Sequence, residues 1–297
     1  MYFNENTYIF FDGNFVKANE ARVNLYLQTL HYGYGVFEGI RSYTTSHGSQ
    51  IFKAKEHYRR LQQSCRLMNI PFEYSVEELE DLTYQMLKKN KYSDAYIRPL
   101  VLCSPNMSLT KAEHSLLLIA AWEWKSYLGN QLLNIKISSF CRPHPKSIKV
   151  EAKACGHYVN SILAVNEAKE AGYDEALLLD HEGWLAEGPG ANLFFEKDGQ
   201  LFTPQKGNLL PGITRDTVFE ICKQLDIVYE EGRYLPEDLF NADAAFYCGT
   251  GAEIVGIRSV DGKRLTKNWN DSVSAQIQKA YQQIVREKDL ETWLKTA

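Results

Sequence analysis

The stretch Glu151-Ala-Lys-Ala-Cys-Gly-His-Tyr158 sets one lysine, Lys153, among small apolar residues directly ahead of a helical pattern. That pattern runs Tyr158–Ala171 and stops at Gly172, a residue that ends helices by turning left-handed. Downstream the chain becomes strand-rich: Ala176–Leu179 reads as a short buried strand and Leu193–Phe195 as another. Asp198-Gly199 turns the latter back toward Leu201-Phe202. Thr214–Leu225 reads as a helix with Val218, Ile221 and Leu225 on one face, and a last helix carries Val273, Ile277, Tyr281, Ile284 and Val285. Upstream, Leu132–Phe140 is strand-like. This mixed order points to a barrel-like α/β arrangement rather than a doubly wound sheet.

The first 125 residues read differently. Tyr8–Val16 is two short apolar runs around Asp12-Gly13, the signal of a hairpin. A helix is expected over Lys53–Met68, with His57, Leu61, Cys65 and Met68 at helical spacing and Pro71 beyond it. Ser75-Val-Glu-Glu78 is a capping box that opens a second helix. Two strand-like runs follow, Ala95–Cys103 and Ser115–Trp124. The expectation is a small α/β domain over residues 1–125, a hinge at 126–131 and a larger domain over 132–297.

At 44% hydrophobic and 24% charged, the 297-residue chain has the make-up of a packed protein of about two domains. Its net charge of −4 argues against a general nucleic-acid or anionic-membrane binder, which needs a basic surplus. No apolar run approaches the length of a membrane helix, and the opening MYFNENTYIFFDG has no basic segment followed by an apolar stretch, so no secretory signal is expected. Six scattered cysteines without a C-x-x-C pair predict reduced thiols in a cytoplasmic protein and no metal site.

Several residues have the types that chemistry needs, each with a plainer alternative. A desolvated Lys153 is a neutral amine able to form a Schiff base; a lone lysine equally reads as a surface side chain extending from a strand end. Leu210-Pro-Gly-Ile-Thr-Arg215 precedes a helix whose first N–H groups suit a phosphate, with Thr214 available as a cap, and Cys248-Gly-Thr-Gly-Ala252 lets a backbone or the Thr250 hydroxyl approach one closely. Both also read as simple turns, and neither is a Walker or dinucleotide motif. Glu187, in a Gly/Pro-rich turn, reads as a partner of a buried cation or as a solvated acid. Arg98, inside the apolar run Ala95–Leu100, needs a partner: a substrate carboxylate or a structural ion pair.

Taken in order, these pieces resemble the branched-chain aminotransferases, pyridoxal-phosphate enzymes of the fold-type IV group. The resemblance spans nearly the whole chain and rests on HYGYGVFEGIR, EHYRRL, AYIRPL, AWEWKSYLG, EAKACGHY, AEGPGANLF, LPGITRD and CGTGAEI. It implies a two-domain fold of mixed α/β (α+β) class, with a small N-terminal α/β domain and a larger pseudo-barrel domain. It implies transamination between L-leucine, L-isoleucine or L-valine and 2-oxoglutarate by a ping-pong mechanism. D-amino acid aminotransferases and 4-amino-4-deoxychorismate lyases share the fold and the cofactor residues, and are the alternative.

By resemblance, Lys153 bears the cofactor, pyridoxal 5'-phosphate, and moves the substrate proton. Tyr158 hydrogen-bonds its phenolic oxygen, Glu187 sits at its ring nitrogen, and Arg60 binds its phosphate with Ile213, Thr214 and Thr250. Phe37, Tyr96, Trp124 and Tyr127 match the apolar substrate pocket, and Arg98 the residue that takes the distal carboxylate of glutamate. Thr250, Gly251 and Ala252 match the turn that holds the substrate α-carboxylate. Tyr32 matches a loop residue reaching in from a partner subunit, which implies a homodimer or higher homo-oligomer. Two departures stand out: Ala191 replaces a second glutamate common in bacterial relatives, and Cys155-Gly156-His157 replaces the usual residues between the lysine and the tyrosine.

Overall fold

The computed structural model describes residues 2–124, 128 and 131–286. Most of the expected hinge at 126–131 thus lies outside the described residues. The chain divides into two compact units, Met1–Lys125 with Ala152–His157, and Ser126–Glu151 with Tyr158–Ala297. Residues 152–157, within the range expected for the second domain, fold with the first unit.

The first unit is built on seven strands: β1 (Tyr8–Phe11), β2 (Asn14–Lys17), β3 (Gly35–Phe37), β4 (Ile40–Thr45), β5 (Gly48–Ile51), β6 (Ala95–Cys103) and β7 (Ser115–Trp122). They run in the order β2-β1-β7-β6-β4-β5, with β3 also on β6. The hairpin at Asp12-Gly13 forms as expected, Phe11 facing Asn14 across two residues of positive φ, the geometry that matches strand twist. The pairings are antiparallel. Alternation of strands and helices along the chain therefore does not become βαβ here, because two helices lie between β5 and β6. These are α2 (Ala54–Leu67) and α3 (Val76–Asn90); a short α1 (Gln28–Tyr32) comes earlier. Along β7 every second residue from Leu117 is buried. That face meets Tyr58, Leu61 and Cys65 of α2 and Leu79, Met86 and Leu87 of α3 in one core.

The second unit holds β8 (Leu133–Cys141), β9 (Glu175–Leu179), β10 (Leu185–Glu187), β11 (Asn192–Lys197), β12 (Gln200–Pro204), β13 (Tyr229–Gly232), β14 (Ala244–Gly249), β15 (Glu253–Val260) and β16 (Lys263–Arg264). Their order is β10-β9-β8-β15-β14-β11-β12-β13, and a further pairing of β10 with β11 closes six of them into a ring. The closing pair is Glu187 opposite Asn192. The ring is filled by residues such as Leu133, Leu177, Leu193, Tyr247 and Val255. Its helices are α4 (Tyr158–Glu170), α5 (Ile213–Gln224), α6 (Pro236–Phe240) and α7 (Val273–Ile284). Ala164 and Ala168 of α4 cover Ala176 and Leu178 on the outer face of β9, and Phe219 of α5 meets Phe194 of β11. Packed on both faces, β9, β11 and β14 carry the apolar runs Ala176–Leu179, Leu193–Phe195 and Ala244–Cys248.

The capping box at α3 is present in full: Glu78 N–H donates to Ser75 Oγ (3.1 Å), and Ser75 N–H donates to Glu78 Oε2 (2.8 Å). Ser75→Ala is expected to cost about 1 kcal/mol. Urea unfolding checks this; an unchanged midpoint would mean that α3 does not depend on its cap.

Candidate active site

Lys153 is positioned by backbone. Phe37 N–H donates to Lys153 O (3.0 Å), Val36 bridges Ala154, and Gly156 N–H donates to Gly33 O (3.0 Å). The Lys153 N–H donates to Ser64 Oγ on α2 (3.1 Å). The segment thus runs beside β3, half-buried, with Nζ 5.2 Å from the centre of the Phe37 ring. Gly33 and Gly156 make this approach possible. Gly33 has a φ of +64°, and a Cβ on it would lie 2.8 Å from the Gly156 Cα. Between Lys153 and Tyr158 the chain has Gly156, whose Cα is the atom that a side chain on Gly33 would strike. Cys155 is half-buried, and burial pushes its thiol up to about 11, so little thiolate exists at neutral pH.

Arg60 extends from α2 to Glu38, between β3 and β4. Its Nε meets Glu38 Oε1 at 2.7 Å and its Nη2 meets Oε2 at 2.9 Å; His57 Nδ1 lies 2.8 Å from Oε2. Burial alone would raise the Glu38 carboxyl, but the Arg60 charge and the bonds from Arg60 and His57 outweigh it and hold Glu38 well below the usual carboxylate range. Burial lowers the His57 ring, against the pull of Glu38 and with the Arg60 and Lys153 charges adding to it, so the imidazole is neutral.

Phe37 of β3 gathers with Tyr96 and Arg98 of β6. The Arg98 guanidinium lies 4.6 Å from the Phe37 ring centre and 5.4 Å from that of Tyr96, and its Nη2 donates to Tyr96 Oη (3.1 Å). Among the described residues it has no carboxylate partner, and its Nε is buried without a hydrogen bond. Trp124 stands edge-on to Tyr96 at 4.8 Å, and Trp122 packs on Tyr96 at 5.1 Å. Tyr32 closes α1, 44% exposed, its hydroxyl donating to Met107 O. Tyr127 lies outside the described residues.

In the second unit Glu187 is buried at the end of β10 and is not a solvated turn acid. Oε1 lies 3.0 Å from Arg142 Nε, Oε2 accepts from Asn192 Nδ2 (3.1 Å), and the Leu210 N–H reaches both oxygens at 3.2 Å. Asn192 also donates to Leu210 O (3.0 Å), and its Oδ1 fills the place where a Cβ on Gly212 would sit, 2.0 Å away. Gly212 is the N-cap of α5, with no side-chain cap. Thr214, expected as a possible cap, instead lies buried within the first turn, so the backbone of Ile213 and Thr214 supplies donors at the positive helix end. Thr250, Gly251 and Ala252 form the turn between β14 and β15, and half-buried Tyr158 opens α4.

The first unit thus brings together Phe37, Arg60, Tyr96, Arg98, Trp124 and Lys153; the second gathers Glu187, Ile213 and Thr214 through Asn192. Sequence reasoning missed Glu38, His57, Trp122, Asn192 and Arg142. The first four lie within the motifs HYGYGVFEGIR, EHYRRL, AWEWKSYLG and AEGPGANLF, where a closer reading of the polar and aromatic positions would have found them. Arg142 has no such signal. Among the described residues, no cluster of three or more His, Cys, Asp or Glu can hold a metal, and no helix is long and apolar enough to cross a membrane.

The sequence profile of the amino-transferase class IV family matches residues 35–260, and the chain belongs to that family. It is 39% identical to the branched-chain-amino-acid aminotransferase of Pseudomonas aeruginosa, over 94% of this chain and 93% of that one. Among solved structures, the branched-chain aminotransferase of Thermoproteus uzoniensis with norvaline superposes with a TM-score of 0.91 at 35% identity, covering 96% of each chain. The branched-chain amino acid aminotransferase of Thermobaculum terrenum, in its PLP-bound holo form, also gives 0.91, at 33% identity and over 97% of each chain.

Gly33→Ala introduces both a left-handed alanine and a backbone clash, and is expected to cost roughly 1–3 kcal/mol. Gly156→Ala, whose Cβ meets only Gly33 O at 3.4 Å, is expected to cost less. Thermal unfolding of the two variants checks the order; equal values would mean that the Gly33–Gly156 contact does not hold the lysine segment.

Proposed function

We propose that this chain is a branched-chain-amino-acid aminotransferase, moving the amino group of L-leucine, L-isoleucine or L-valine to 2-oxoglutarate and yielding the 2-oxo acid and L-glutamate. Pyridoxal 5'-phosphate, when bound, supplies an aldehyde that condenses with amines and a ring that takes up the electron pair left at Cα. The residues assigned to that group by resemblance have the chemistry it needs, each described within its own unit: an amine at Lys153 and a guanidinium at Arg60 in the first, a buried carboxylate at Glu187 and an uncapped helix start at Ile213-Thr214 in the second. Lys153 Nζ would hold the cofactor and carry the Cα proton. Glu187, beside Arg142 and Asn192, would hold a proton on the ring nitrogen. Tyr158 would donate to the phenolic oxygen. Arg60, the Ile213 and Thr214 backbone and the Thr250 hydroxyl would bind the phosphate, and the Thr250–Gly251–Ala252 turn would orient the substrate α-carboxylate.

The observation that carries the substrate reading is Arg98. Its guanidinium carbon lies 4.6 Å from the centre of the Phe37 ring, so one wall would offer an aromatic side chain to leucine and a buried Nε–H to a glutamate carboxylate. Tyr96 and Trp124, edge-on to each other, extend the apolar lining. The relatives that match over nine-tenths of the chain favour this reading over a D-amino acid aminotransferase or a deoxychorismate lyase.

A homodimer or larger homo-oligomer belongs to the same proposal. What supports it is the exposed apolar set Leu25, Tyr26, Leu30, Tyr32, Met107 and Leu109, where Tyr32 would serve the partner's site. Free thiols at all six cysteines suit a cytoplasmic setting.

Arg98→Met deletes the charge and keeps apolar volume. Losing the partner of a desolvated carboxylate costs about 2–5 kcal/mol, so kcat/KM for glutamate and 2-oxoglutarate is expected to fall about 100-fold or more. The leucine half-reaction, measured in single turnover, is expected to change within about tenfold. An equal collapse for both substrates with a lowered melting temperature would mean that Arg98 holds the strand and does not read substrate.

A further inference from the structure

Glu38 has no part in the assignments above, yet it is fully buried and all its accepting capacity is taken. Besides Arg60 and His57, the Gly39 N–H donates to Oε2 at 3.3 Å. A buried ion pair is a poor source of stability, since the cost of drying both ions offsets their attraction. What the pair does supply is direction. An arginine on a helix samples many rotamers, but here Nε and Nη2 are both docked on one carboxylate, which fixes the guanidinium plane and turns its Nη1 end away from Glu38. His57 lies one turn before Arg60 on α2, and its Nδ1–H donates to the same oxygen, which steadies the carboxylate from a second side.

We propose that Glu38 and His57 are positioning residues that hold the Arg60 guanidinium in the orientation required by the cofactor phosphate. This rests on the reading of Arg60 as a phosphate ligand. It carries a sign that electrostatics alone does not give. Glu38 offsets the charge of Arg60, so if charge were all that mattered, removing the carboxylate would tighten the hold on a phosphate dianion. If orientation is what matters, removing it loosens that hold.

The test is titration of the apoprotein with pyridoxal 5'-phosphate and, separately, with pyridoxal, which lacks the phosphate. Glu38→Gln is expected to weaken binding of the phosphorylated form by about 10–100-fold, the range typical of removing the partner behind a ligand. Pyridoxal affinity is expected to change less than about threefold, well under the tenfold step of 1.4 kcal/mol. His57→Leu should move the same ratio in the same direction, while His57→Asn, which keeps a donor, should restore it; this pair keeps the test open if the Glu38 variant does not fold. Arg60→Met should erase the preference for the phosphorylated form. If it does not, the reading of Arg60 fails and the inference with it. If Arg60→Met erases the preference while the Glu38 and His57 variants leave it intact, tighten it, or weaken both ligands equally, the positioning role is overturned and the reading of Arg60 stands.

Discussion

The ring of six strands in the second unit closes at one residue pair, Glu187 opposite Asn192, and the same pair sets an amide on a buried carboxylate. A carboxylate shut away from water stays ionised only where donors replace the water it has lost. Here the Asn192 amide and the Leu210 N–H donate to it, with the Arg142 guanidinium 3.0 Å away, and Asn192 passes the constraint on. Its carbonyl oxygen touches Gly212, so the start of α5 is set by the side chain that holds the acid. Closure of the fold, the surroundings of the acid and the placement of the uncapped start of α5 therefore have a common cause.

The first unit solves a related problem with backbone. A lysine side chain is a flexible stem, and what the fold fixes is the backbone that carries it. Segment 152–157 is accordingly bound along β3 by main-chain bonds, with two glycines face to face where a side chain would hold the strands apart. The spacing from Lys153 to Tyr158 is set within this segment, and Gly33, with positive φ and a Cβ position 2.8 Å from the Gly156 Cα, is the position under steric demand. Buried Glu38, like Glu187, has a guanidinium within ion-pair distance.

Much of this was legible in the residues. The Asp12-Gly13 hairpin, the capping box at Ser75 and the two-sided burial of Ala176–Leu179 follow from local pattern and appear where the pattern puts them. Barrel closure was legible only as a strand-rich tendency, because β8 pairs with β9 and with β15, more than a hundred residues further along, and such registers are set by packing rather than by neighbours in sequence. Lys153, Glu187 and Arg98 were visible as residue types out of keeping with their surroundings. Arg142 was not: an arginine after a strand and before Pro143 looks like any surface cation, and only the folded chain carries it to Glu187. Thr214 read as a cap because Pro-Gly precedes it, yet the helix begins one residue earlier than the threonine and leaves its own N–H groups for another acceptor.

The central claim is that this scaffold exists to hold one amine, Lys153, as the carrier of a pyridoxal cofactor. The direct measurement is borohydride reduction of the protein saturated with pyridoxal 5'-phosphate, followed by digestion and mass spectrometry of the peptides. The expected result is a single phosphopyridoxyl group, on Lys153, and its loss when leucine is added before the reductant. A stable adduct on a different lysine, or none on the saturated protein, would contradict it.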